Sequence, residues 1–188
     1  MYKLVRSVAL VGLMGAGKSS VGRKLAELLN APYADSDDEI AEAAGMSIPE
    51  IFQTYGEAEF RGVERRVIAR LAQETPTVIS TGGGAFMQEE VRRELAQSAV
   101  SIWLEVDLET LWRRVADKPG RPLLQTANPK ATLSDLLDQR YPVYAEAAVH
   151  VRSGRDMTQE QVAAKILQAL IEHDSKSPET KTIERIAP

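Results

Sequence analysis

A chain of 188 residues with 44% hydrophobic and 27% charged residues has the size and balance of one ordinary globular domain with a real core. Its formal net charge of −4 excludes a nucleic-acid or membrane partner held by charge alone, and the lack of cysteine excludes disulfides and thiolate metal sites. No apolar run approaches the roughly 20 residues that span a bilayer, and Met1–Arg6 leads straight into the first strand without a leader-like segment, so a cytoplasmic location is expected.

Ser7–Leu13 is a near-continuous apolar run, the pattern of a strand buried on both faces of a parallel sheet. It overlaps Gly12-Leu13-Met14-Gly15-Ala16-Gly17-Lys18-Ser19, a complete G-x-x-x-x-G-K-S loop. A helix follows, with Val21, Leu25, Leu28 and Leu29 on one stripe. A strand must deliver the chain to a turn that only small residues can line, and the turn must feed a helix whose first N–H groups face an anion. Lys18 then reaches the β- and γ-phosphates and the Ser19 hydroxyl sits on Mg²⁺. The predicted ligand is a nucleoside triphosphate.

Tyr33-Ala34-Asp35 reads as a short second strand ending in acid, and Asp37–Ala44 as a helix stopped by Gly45. Ser47-Ile48-Pro49-Glu50 is a helix start with a capping box. A long charged helix is expected over about Glu57–Gln73. Thr77–Ser80 is the next strand, running into Gly82-Gly83-Gly84. Glu89–Leu95 reads as helix, Val100–Val106 as strand, and Leu108, Leu111, Trp112 and Val115 as a helix stripe in which Trp112 belongs to the core. Ala116–Lys130, with three prolines and few apolar residues, is expected to be a loop, and a loop this long inside a domain is functional or mobile. Thr132–Val143 reads as helix, Val149–Val151 as the last strand, and Val162, Ile166 and Leu170 as the stripe of the final helix. About five strands alternating with helices imply a parallel sheet covered on both faces.

Several residues stand out as candidates for chemistry. Asp35 and Asp37 leave a strand end together and can face one cleft; the alternative on local evidence is that Asp37 caps the next helix. Arg61 and Arg140 each read alone as solvated or ion-paired side chains, whereas two arginines converging on one pocket would suit a carboxylate. Three glycines at a strand end leave room for a close backbone approach to a small ligand, or form a plain turn. Arg121, in Lys118-Pro119-Gly120-Arg121-Pro122-Leu123-Leu124, lies where a closing loop would carry a cation onto a transferring phosphoryl group, with Arg113 and Arg114 just before it. His150 and His173 are assigned no chemistry.

In their order and spacing, Gly12–Ser20, Asp35-Ser36-Asp37, Gly56-Glu57 with Glu59-Phe60-Arg61, Gly82-Gly83-Gly84-Ala85, Arg121-Pro122-Leu123-Leu124 and Arg140-Tyr141-Pro142 resemble the shikimate kinase family over about Val8–Val151. The resemblance implies a nucleoside-monophosphate-kinase-type P-loop fold, a three-layer α/β arrangement around a five-stranded parallel sheet. It also implies transfer of the ATP γ-phosphoryl group to the 3-hydroxyl of shikimate, with Mg²⁺ as cofactor. On the same footing, Gly15, Ala16, Gly17, Lys18, Ser19 and Ser20 bind ATP, joined by Arg114, Arg121 and Arg155. Ser19 ligates the metal, with Asp35 close to it through water. Asp37 binds the substrate hydroxyls and orients or deprotonates the attacking one. Arg61 and Arg140 clamp the carboxylate with the backbone of Gly82, Gly83 and Gly84. Lys18, Asp37 and Arg121 are the catalytic set.

Other readings place a different acceptor, such as gluconate, on the same fold, or make the chain a nucleotide-binding module without turnover. A GTPase switch is disfavoured because no Asn-Lys-x-Asp tetrapeptide occurs. The expected organisation is a single kinase domain over 1–173, with substrate-binding helices at about 37–73, a lid at about 114–130, and a frayed polar tail over 174–188. A monomer is expected, acting on small molecules only.

Overall fold

A computed structural model describes residues 1–116 and 122–186. Its centre is a five-stranded parallel sheet of β2 (Ser7–Val11), β3 (Tyr33–Asp35), β4 (Val78–Ser80), β5 (Ala99–Glu105) and β6 (Val149–Arg152), in the order β3-β4-β2-β5-β6. β2 lies in the middle and every one of its residues is buried, which is why it reads as an unbroken apolar run. Its register places Leu10 against both Ser80 of β4 and Ile102 of β5. The carboxyl ends of the strands therefore finish together, and the loops that leave them share one edge.

Helices cover both faces. α1 (Lys18–Leu29) packs on α7 (Gln159–Lys176), while α3 (Ile48–Gln73) packs on α4 (Glu89–Ser98). α2 (Ser36–Ala44) leans on α3, and α5 (Leu108–Val115) on α6 (Pro129–Tyr144). The core runs continuously from Leu10, Leu25 and Ile79 to Leu104, Leu111 and Ile166, all at most 1% exposed. Ile40, Ile51 and Phe60 form a separate small cluster beneath α2 and α3. No helix among the described residues is long and apolar enough to cross a membrane.

The elements differ from the sequence reading in a few places. α3 starts at the Ser47 capping box and continues through the charged helix, broken once at Gly56, whose backbone (φ 82°, ψ 171°) leaves the helical region. The expected loop over 116–130 contains a 3₁₀ turn at Pro122–Leu124, and α6 begins earlier than expected, at Pro129 behind an Asn128 cap. Residues 117–121, and with them Arg121, lie outside the described residues.

The largest correction concerns the tail expected to be frayed over 174–188, of which residues 174–186 are described. α7 runs to Lys176, a 3₁₀ turn follows at Pro178–Thr180, and β7 (Ile183–Arg185) pairs antiparallel with β1 (Tyr2–Leu4). The physical reason is local. Asp174 is 8% exposed, and its Oδ2 accepts from the Thr182 and Ile183 N–H groups at 2.8 and 2.9 Å. The Thr182 carbonyl in turn accepts from the Val5 and Arg6 N–H groups. Polar composition concealed a segment held mainly by its backbone.

Candidate active site

The Gly12–Ser19 loop forms because β2 ends at Val11, just before Gly12, and α1 begins at Lys18. Gly15 and Gly17 sit at φ 81° and 95°, in the left-handed region that side chains resist, and a Cβ on Gly15 would lie 2.7 Å from Val115. The Lys18 ammonium donates to the carbonyls of Gly12 and Leu13 at 2.8 and 3.1 Å, which folds its side chain back over the loop. Arg114, from α5, reaches across with Nη1 3.2 Å from the Gly15 carbonyl and 3.3 Å from that of Ala16; burial lowers its pKa. A cleft of about 920 Å³ opens above the loop. Gly15 through Ser20, Asp35, Asp37, Gly82, Gly83, Arg114 and Arg155 all line it. Arg155 thus shares the cleft, on the segment between β6 and α7.

Asp35 closes β3 and caps α2. Its Oδ1 accepts from the Asp37 N–H at 3.1 Å, and its Oδ2 accepts from the Ser19 hydroxyl at 2.8 Å and from the Tyr33 hydroxyl at 3.3 Å. The capping role that local sequence allowed Asp37 therefore falls to Asp35. Asp37 is left with Oδ1 buried and, among the described residues, without a hydrogen-bond partner. Burial pushes the Asp37 carboxyl up from the usual range and the nearby Asp35 charge adds to this, against the pull of Lys18 and Arg61. Such a group is poised to accept a proton or a hydroxyl hydrogen from something entering the cleft.

The glycine turn after β4 lies against these groups from the other side. A Cβ on Gly82 would stand 2.7 Å from both Asp37 Oδ1 and Glu64 Oε1, and one on Gly84 would stand 2.5 Å from Arg61 Nη2. These glycines make room for charged side chains as well as for a turn. The Gly82 N–H donates to the Ser36 hydroxyl at 3.1 Å, tying the turn to α2. Arg140 Nη1 donates to the Gly83 carbonyl at 3.1 Å, and the Tyr144 hydroxyl donates to the same oxygen at 2.5 Å. Arg61 and Arg140, remote in sequence, are thus brought to adjacent residues of one turn.

Arg61 Nη1 donates to Glu64 Oε2 at 2.6 Å, and its Nη2 lies 3.3 Å from Glu57 Oε1. Burial works against the Arg61 charge, but these two carboxylates outweigh it and hold its pKa above the ordinary value. Glu64 is 1% exposed; burial raises its pKa although Arg61 opposes this. Gln88 Nε2 donates to the same Glu64 oxygen at 2.8 Å, so Oε2 takes both hydrogen bonds and Oε1 takes none.

Sequence reasoning passed over Ser36, Glu64, Gln88 and Tyr144. For Glu64 the available signal was its place three residues after Arg61, on the same helix face. Among the described residues no cluster of three or more His, Cys, Asp or Glu could hold a metal by itself. The Ser19–Asp35 pair offers oxygen donors of the kind Mg²⁺ takes one or two at a time, with phosphate and water completing its shell.

A family model described as shikimate kinase matches residues 14–171. The shikimate kinase of Rhizobium leguminosarum bv. trifolii is 51% identical over 172 residues, covering 92% of this chain and 87% of that protein. The structure of the Acinetobacter baumannii shikimate kinase in complex with shikimate superposes with a TM-score of 0.84 at 40% identity, covering 89% of this chain and 93% of that one. The Aquifex aeolicus shikimate kinase superposes with a TM-score of 0.75 at 31% identity, covering 90% and 98%.

Proposed function

This chain belongs to the shikimate kinase family, and on that footing we propose that it transfers the γ-phosphoryl group of ATP to the 3-hydroxyl of shikimate, releasing ADP and shikimate 3-phosphate. The observation that carries the reading is the position of Asp37. Its side chain lines the cleft, with one buried carboxylate oxygen that has no hydrogen-bond partner among the described residues, beside a glycine turn that two arginines flank. A hydroxylated carboxylic acid fits that arrangement at both ends, and a relative solved with shikimate supports the choice of acid.

The proposed division of labour follows from the geometry. The backbone of Gly15, Ala16 and Gly17 cradles the phosphates, with Ser20 at the start of α1. Lys18 exchanges its loop carbonyls for the β- and γ-phosphates, where its charge offsets what builds up on the transferring group. Arg114 and Arg155 flank the nucleotide. Arg61 and Arg140, with the turn Gly82–Gly84, hold the acceptor carboxylate. That leaves the 3-hydroxyl near Asp37, which takes its proton as the new O–P bond forms and the β–γ bridge breaks. Arg121, on the segment outside the described residues, is assigned to the phosphates, with a lid over about 114–130.

Mg²⁺, when bound, would neutralise phosphate charge; Ser19 would supply its hydroxyl oxygen and Asp35 would sit behind it, accepting the Ser19 hydrogen bond as it does here. Phosphoryl transfer asks mainly for positioning and charge neutralisation, and these residues are suited to both. Every group in the scheme comes from one chain, so a monomer suffices. A cysteine-free protein of this kind suits the cytoplasm.

The test is ADP release from Mg·ATP with shikimate, set against quinate, gluconate and nucleoside monophosphates. Stimulation by shikimate alone is the expected result. Stimulation by another acceptor would keep the phosphate loop but overturn the roles given to Asp37, Arg61 and Arg140.

A further inference from the structure

Tyr144 is fully buried near the C-terminus of α6, with its ring among Phe86, Trp103 and Tyr141 at centroid separations of 6.4, 6.3 and 6.3 Å. Phenylalanine would fill this space without a polar atom to satisfy, so packing alone does not call for the hydroxyl. The hydroxyl has one hydrogen-bond acceptor, the Gly83 carbonyl at 2.5 Å. Burial pushes its pKa up to about 12, with Arg140 opposing, so it remains a donor at any working pH.

The Gly83 carbonyl and the Gly84 N–H belong to one planar trans peptide and point in opposite directions. Drawing the carbonyl towards α6 turns the N–H away from it. Gly84 is the residue against which the Arg61 guanidinium packs, and among the described residues its N–H makes no hydrogen bond. With glycine on both sides of the peptide, no side chain restricts its rotation. Arg140 Nη1 also holds the carbonyl, but its guanidinium is the group assigned to the bound anion. Tyr144, with no exposed surface, cannot turn.

We infer that Tyr144 is a positioning residue: its hydroxyl fixes the Gly83–Gly84 peptide so that the Gly84 N–H is presented, beside Arg61, to the carboxylate of the acceptor. The inference rests on the reading of the glycine turn as the carboxylate site.

Tyr144→Phe tests it. The KM for shikimate should rise about tenfold while kcat and the KM for ATP stay within about twofold, as expected when binding of one group is lost. With the methyl ester of shikimate, which lacks the negative charge, variant and wild type should perform alike. An unchanged KM for shikimate accompanied by a lower melting temperature would make the hydrogen bond purely structural and overturn the inference. So would an equal loss on acid and ester. Should Tyr144→Phe not fold, ¹⁵N-labelled wild-type protein replaces it. Shikimate should shift the Gly84 amide resonance, and an unmoved resonance overturns the inference. Failure of the underlying reading shows separately, as wild-type protein inert towards shikimate, and takes this inference with it.

Discussion

The guanidinium of Arg61 and the carboxylate of Glu64 are joined at 2.6 Å, one turn apart on α3, and each is pressed against a different glycine of the turn that follows β4. Arg61 lies against Gly84 and Glu64 against Gly82. The ion pair and the turn are therefore fitted to each other, and neither can be altered alone.

Glu64→Ala removes the closest anchor of Arg61 and leaves it the exposed Glu57 as its carboxylate partner. The expected outcome is about a tenfold higher KM for shikimate, with little change in the KM for ATP. Steady-state kinetics with each substrate varied in turn checks this. An unaffected shikimate KM would show that Arg61 holds its place without Glu64.

Gly84→Ala puts a methyl group where the Arg61 guanidinium now lies. The obstructing atoms are the far end of a flexible side chain, so the protein should fold with a melting temperature near that of wild type. The displaced arginine should raise the KM for shikimate about tenfold or more, a separation of binding from stability that thermal melts and kinetics read side by side.

Asp37→Asn should lower kcat about 10²- to 10³-fold with ATP binding intact. It should also stabilise the protein at neutral pH. The folded-state pKa of Asp37 lies above its ordinary value near 3.8, so the folded state holds this proton more tightly than the unfolded one. Stability from this group is complete below the unfolded value and is lost as pH rises through the folded one. The stabilisation by asparagine should therefore shrink as pH falls towards about 3.8 and be absent below it. Melting temperatures of both proteins across pH 3–8 measure the difference. A variant with wild-type kcat would end the role given to Asp37.

Lys18→Ala should reduce ADP release about 10³-fold or more, because the other cation described at this loop, Arg114, is held by the Gly15 and Ala16 carbonyls rather than by those that Lys18 occupies. Initial rates together with circular dichroism separate this from unfolding. Retained turnover would move the phosphate contacts to Arg114 or to the segment carrying Arg121.

The central sheet was legible because buried parallel strands are apolar throughout and the helices between them carry a stripe; Ser7–Val11 and Val162–Leu170 show both patterns plainly. β1 and β7 were not, since each has three residues, mostly polar or exposed, and their pairing depends on backbone bonds and on Asp174. Within the site, the phosphate loop announces itself because a contiguous stretch does the whole task. Arg61 and Arg140 could be named from their own segments but were joined only by the family resemblance, for convergence is a property of the fold. Glu64 and Tyr144 went unnoticed for a related reason. Each acts on a neighbour, and a lone carboxylate or phenol on a helix looks like any other until the surface it meets is known.

The pairing of β1 with β7 has a consequence for how this protein is made. Leu4 pairs with Ile183, and every strand of the central sheet lies between them in the chain. The central sheet needs only residues up to Arg152 and can assemble while synthesis continues, but the Tyr2–Leu4 edge stays unpaired until Ile183–Arg185 has been made. Stalled or shortened chains ending before Thr182 would carry that edge open on an otherwise folded kinase, which makes them the species to watch for association with one another.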